Sequence, residues 1–158
     1  MNYFPTPPSA ENNYLAEHIE LITRSFQNLL GYPLLPDTDN LAERLYYAPF
    51  VLLSHNAEAD PIFNYANAQG LQLFELSWQQ LITLPSRASA EAINQAQAAR
   101  DKIMAQVTAH GFITNYRGVR ISKTGKRFEI TNAIIWNLTD SAGIYQGQAA
   151  YFSDWTVL

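Results

Sequence analysis

The chain has no cysteine among its 158 residues. That excludes disulfides, thiolate metal sites and cysteine nucleophiles. Charge is also scarce: Asp, Glu, Lys and Arg make up 15% of the sequence, against about 25% in an average soluble domain. No long apolar run is present. The longest, Leu45 to Leu53, falls well short of the roughly 20 residues that span a bilayer. The first residues carry neither a basic stretch nor an apolar core of the kind that directs export, so the cytoplasm is the expected compartment. Glycine-rich phosphate loops and a Gly-x-Ser-x-Gly nucleophile elbow are missing too.

What is there suits one packed domain. Hydrophobic residues make up 47%, and a chain of this length buries about 70% of its unfolded surface without a staple. The formal charge of −4 is unevenly spread. Residues 1–99 carry ten acidic and three basic side chains, residues 100–158 four acidic and seven basic. Five of those basic residues lie between Arg117 and Arg127. They read as a solvated hairpin that resists edge pairing, or as a docking patch for an acidic partner. The net negative charge argues against nucleic acid.

Residues 1–10, with Pro5, Pro7 and Pro8, read as an extended arm. From Glu11 to Leu30 the residues Leu15, Ile19, Ile22, Phe26 and Leu29 recur at spacings of four and three, which predicts an amphipathic helix. Gly31 and Pro33 stop it. The division expected is residues 1–35 as arm and helix and 36–158 as the main domain. Asn40 is expected to cap a short helix from Leu41 to Tyr47, with Glu43 three residues on. Short strands follow at Phe50–Ser54 and Ile62–Tyr65. Asn67 can cap a helix through Phe74, and Ser77 with Gln80 forms a capping-box pair. A long helix is expected from Ser89 to His110, before Gly111. Three strands complete the chain, at Phe112–Ser122, Arg127–Leu138 and Tyr145–Val157. The fold class expected is α+β: a five-stranded antiparallel sheet flanked by helices, with an N-terminal helical extension.

That element order resembles the PAS fold, and the run from Ile62 to Phe74 resembles its second strand and following helix. More narrowly, the chain resembles the MEKHLA family, a PAS-like domain. The matching residues are Asp60-Pro61-Ile62-Phe63-Asn64-Tyr65, Leu84-Pro85-Ser86-Arg87, Gly118-Val119-Arg120-Ile121, Trp136-Asn137-Leu138 and Gly147-Gln148-Ala149-Ala150. The resemblance implies a small-molecule sensor or protein-interaction module that signals through a partner, and not an enzyme. The alternatives are a small α+β enzyme with an acid–base pair in the same pocket, or a ligand-free interaction domain. A cysteinyl-flavin photocycle is excluded by composition.

Within that resemblance, a ligand would lie between the inner sheet face and the helices across it. Asn132 shares strand parity with Phe128, Ile130, Ile134 and Trp136, so it is expected to point inward. Gln148 precedes two small residues that leave room. These amides either satisfy each other and the backbone or orient a ligand. Arg87 either caps or pairs with Glu91, or holds a carboxylate at the pocket mouth. The tryptophans are core, or stack on a flat ligand. The expected lining is Tyr65, Trp78, Arg87, Asn132, Trp136 and Gln148. His110 suits the C-terminal dipole of its helix, and no haem is expected on it. His55, Glu58 and Asp60 match no standard metal spacing and are read as a turn. The stripe from Leu15 to Leu29 has helix-seam spacing. It is expected to cover the chain's own sheet or to form a homodimer.

Overall fold

The computed structural model describes residues 3–36, 39–91 and 94–158. Helix α1 (Ala16–Leu30) and the short α2 (Leu41–Tyr46) lead into strands β1 (Val51–His55) and β2 (Phe63–Ala66). Helices α3 (Ala68–Phe74), α4 (Trp78–Leu81) and α5 (Asn94–His110) follow, and then β3 (Phe112–Ile121), β4 (Arg127–Thr139), β5 (Tyr145–Phe152) and β6 (Asp154–Val157). The sheet runs β2-β1-β5-β4-β3, with β6 also on β4, and every pairing is antiparallel. Tight turns carrying Gly125 and Gly143, both with positive φ, join β3 to β4 and β4 to β5 as hairpins.

Local signals account for several boundaries. Asn67 Oδ1 accepts from Gly70 N at 3.1 Å and from Leu52 N at 3.1 Å, while its Nδ2 donates to Leu45 O and Phe50 O. One buried amide thus starts α3 and ties it to β1 and to the end of α2. Ser77 and Gln80 form the reciprocal box that opens α4. Asn40 does not cap α2: it takes the left-handed conformation, and its side chain makes no capping bond.

Three expectations need correction. The first helix does not begin at Glu11. Residues Ala10–Leu15 form a 3-10 turn, and Asn13, Tyr14 and Leu15 all have positive φ. Each such residue costs roughly 1–2 kcal/mol. The Tyr14 ring packs against Tyr46 and Tyr47, which offsets part of that cost. The long helix begins at Asn94, after a 3-10 turn at Ser86–Ser89. Residues 92 and 93 of the expected span lie outside the described residues. The last strand is two strands, because β4 changes partner along its length. Its first half pairs with β6 (Phe128 opposite Val157, Thr131 opposite Asp154) and its second half with β5 (Ile134 opposite Tyr151).

Between those halves Asn132 has φ 57°. One residue is thereby inserted out of step, and side-chain parity flips along β4. Phe128 and Ile130 before this step and Ala133 and Ile135 after it are buried, whereas Asn132 itself is exposed and bonds Asp154.

Both faces of the sheet are covered. The back face carries Ser54, Tyr65, Trp136, Leu138 and Ala149, and α1 lies across it. Ile19, Ile22 and Phe26 of α1 are buried there. Trp136 Nε1 donates to Ile22 O at 3.1 Å, Thr139 N donates to Ser25 Oγ, and the Phe26 and Trp136 rings meet edge to face. Three large apolar side chains removed from water contribute on the order of 6 kcal/mol. The inner part of the stripe therefore packs on the chain's own sheet. The other face looks toward α3, α5 and the Ser86–Ser89 turn.

Candidate functional site

The site lies on that second face. Strand alternation aligns Leu53 with Ala150 and His55 with Gln148 across β1 and β5, and Ile135 with Ala150 across β4 and β5. Small side chains at Ala133 and Ala150 leave a cavity of about 60 Å³. Phe63, Phe74, Met104, Ile130 and Phe152 make most of its wall. Six polar residues besides Tyr116 break that wall: His55, Ser86, Ser89, Arg100, Arg120 and Gln148. No carboxylate lines it among the described residues.

Gln148 is buried, and its amide orientation is fixed by its partners. Nε2 donates to Thr108 Oγ1 at 3.0 Å and to Asn137 Oδ1 at 3.1 Å, with Met104 O at 3.3 Å. Oε1 is left with no partner. Opposite it, His55 Nδ1 faces the Asn56 carbonyl at 2.9 Å, so Nδ1 carries the proton and the neutral ring's Nε2 is an acceptor. That Nε2 is also buried and unpartnered. Burial pulls the His55 pKa below its ordinary value and the nearby Arg100 charge adds to this, while the Asn56 carbonyl and the adjacent Gln148 amide oxygen oppose it.

Gly147 makes this pairing close. A Cβ there would lie 2.0 Å from His55 O, and its φ is +131°. Only glycine fits.

Arg100 on α5 is 6% exposed. Nη2 donates to Ser86 Oγ at 2.8 Å and Nη1 to Asp101 Oδ1 at 3.1 Å. Burial lowers its pKa, and the charge of Arg120 lowers it further. Arg120 itself donates to Val119 O and sits 5.5 Å from the Tyr116 ring centroid. Two guanidinium groups thus line the same cavity as two orphaned acceptors, and the Arg100 charge acts on both Arg120 and His55.

Of the residues expected to line a pocket, only Gln148 meets this cavity. Tyr65, Trp78 and Trp136 are buried on the other side of the structure: Trp78 Nε1 donates to Phe4 O, and its ring meets Tyr65 edge to face. Asn132 faces outward because of the bulge. Arg87 is exposed and pairs with Asp60, while its expected partner Glu91 pairs with Arg127. His55, expected in a turn, is the last residue of β1. Sequence reading missed His55, Arg100 and Arg120. Arg120 lies inside a quoted family motif, which was the available signal. Among the described residues no group of His, Asp and Glu has the arrangement of a metal site.

The family model for the MEKHLA domain matches residues 16–157, from the first residue of α1 to the end of β6. The chain belongs to the MEKHLA-domain family. No curated protein matches it. Among solved structures, this MEKHLA domain is similar to a PAS domain from Colwellia psychrerythraea, with TM-score 0.59 and 14% identity over 74% of this chain and 92% of that one. It is also similar to the PAS domain, in complex with ethanol, of a LuxR-family transcriptional regulator from Burkholderia thailandensis, with TM-score 0.54 and 15% identity over 75% and 96%. The dark structure of the blue-light photoreceptor Aureochrome1 LOV domain gives TM-score 0.56 and 22% identity over 77% and 87%. At these identities the likeness establishes the PAS-like fold. A cysteinyl-flavin adduct does not fit this domain: the thiol is absent, and 60 Å³ is several-fold below the roughly 300–1,000 Å³ of sites for larger ligands. No helix among the described residues is long and apolar enough to cross a membrane.

Proposed function

We propose that this MEKHLA domain is a sensor module that takes a small molecule into the cavity under α5 and reports its presence to a protein partner. The observation that carries the reading is the buried pair of unpartnered acceptors, His55 Nε2 and Gln148 Oε1, beside an apolar cavity. A buried polar atom without a partner costs roughly 1–3 kcal/mol. A small molecule with a hydrogen-bond donor would recover that cost. The cavity of about 60 Å³ holds about four to six water-sized groups, at roughly 10–15 Å³ each. The ethanol-bound PAS relative accommodates a ligand of similar scale. We assign the domain no catalytic step: the wall brings together arginines, serines, an amide and a histidine without a carboxylate, so the acid–base pair of the enzyme reading lacks its acid. Occupancy would stiffen the contact between α5 and β5, and that contact is what a partner would read.

Thermal unfolding of the purified chain against a panel of molecules with six or fewer non-hydrogen atoms tests this. A binder raises the melting temperature in proportion to log concentration, and Ala133→Leu, which fills the cavity, removes the response. Stabilisation that persists in Ala133→Leu would refute the assignment of the site.

A further inference from the structure

We infer that the ligand of this cavity is the anion of a short hydroxycarboxylic acid, its carboxylate held between Arg100 and Arg120 and its hydroxyl donating its one proton to Gln148 Oε1, beside His55 Nε2. This deepens the reading of the cavity as a ligand site and rests on it. The geometry argues for each group separately. Arg100 is buried and spends two of its five N–H groups, on Ser86 and Asp101. Arg120 spends one, on Val119 O, and forms no ion pair among the described residues. Two guanidinium groups that repel each other beside a low-dielectric wall are stabilised by one anion between them, because a single carboxylate accepts from both. The Ser86 hydroxyl already accepts from Arg100, so its own proton is free to join that site. Neutral molecules leave that pair of charges uncompensated.

The acceptor pair asks for the opposite chemistry. His55 Nε2 and Gln148 Oε1 are both acceptors, and they face each other across the β1–β5 pair. Gln148 cannot turn its amide to supply a donor without abandoning the Asn137 and Met104 oxygens that its Nε2 serves. The donor must come from the ligand. An ammonium would meet two arginines, so a hydroxyl is the group that fits. The apolar wall, Leu53, Ile130 and Ile135, accepts one or two carbons. The volume of about 60 Å³ restricts the whole to the scale of glycolate or lactate.

The experiment uses the full chain and three probes of one size: sodium lactate, sodium propanoate and 1,2-propanediol, each against sodium chloride at equal ionic strength. Binding is read by calorimetry and by thermal shift. Lactate is expected to bind best. Propanoate lacks the hydroxyl, and propanediol lacks the charge. Arg120→Met, at a half-buried side chain with few bonds to lose, should weaken lactate about tenfold or more and leave propanediol unchanged. Gln148→Leu should abolish the preference for lactate over propanoate. Propanediol binding as tightly as lactate, or an Arg120→Met protein with undiminished lactate affinity, would overturn the anion inference and leave the sensor reading standing. If none of the three binds, the inference fails. The Ala133→Leu protein then decides the wider reading, which also falls if filling the cavity only stabilises the chain and no panel member binds the wild type.

Discussion

Acid should loosen this protein through one histidine under α1. His18 is buried on the back face, with Nε2 2.9 Å from Ser54 Oγ. Ser54 gives its hydroxyl proton to Asn64 Oδ1 at 2.6 Å, so Nε2 must be the donor to Ser54 and the ring is neutral. Burial lowers the pKa of His18 from 6.5 to about 4. The folded state binds the proton less tightly than the unfolded chain does. Stability is therefore complete above pH 6.5 and is lost as the pH falls toward 4. The loss works out at about 2 kcal/mol at pH 5 and about 3 kcal/mol at pH 4. Acid acts on the rest of the molecule as well, so the measurement must be a difference. Urea unfolding of wild type and His18→Gln at pH 7, 5 and 4 supplies it, since glutamine can still donate to Ser54 but cannot take up a proton. The wild type should lose about 3 kcal/mol more than the variant by pH 4. Equal losses in the two proteins would mean that His18 is hydrated or outside the core, and the packing of α1 on the sheet would have to be redrawn.

Three further outcomes follow from the packing. Asn67→Ala strips four bonds from buried backbone groups and should cost about 4 kcal/mol in chemical denaturation, whereas a loss below about 1 kcal/mol would show that water replaces the amide. Gly147→Ala drives a methyl into the His55 carbonyl and should cost about 3 kcal/mol, with deprotected amide exchange at the β1–β5 pair; unchanged protection there would contradict the register. Ile22→Glu should lower stability by more than about 3 kcal/mol with no change of mass in light-scattering chromatography, while a fall from dimer to monomer at unchanged stability would return the stripe to an intermolecular seam.

Much of the fold was legible because its signals are local. Caps at Asn67 and Ser77, the stop at Gly31 and the turns at Gly125 and Gly143 each depend on residues within one turn of chain. The pairing of neighbouring strands followed from the succession of elements, whereas the β1–β5 pairing that joins the two groups is a long-range contact. The site was not legible in the same way. Inward parity was carried from Phe128 through Asn132, yet asparagine is among the few residues that tolerate positive φ. The contiguous apolar run Ala133-Ile134-Ile135-Trp136 was the sign that alternation had slipped by one. Arg100 and Arg120 are separated by a helix end and a strand, and only the tertiary fold brings them to one cavity. His55 was hidden by the polar residues after it, which do form a turn.

The placement of α1 has a practical meaning for anyone cutting this chain. A fragment begun at residue 36 would keep all six strands and the whole cavity wall, and would look complete in a topology diagram. It would also lay bare Tyr65, Trp136 and Leu138, now almost wholly shielded, as a continuous greasy plate of the kind that recruits other chains. Such a fragment would be prone to clump and would mimic self-association that the intact chain need not possess. Fusions and binding assays should therefore keep residues from Ala16 onward, where the family match also begins.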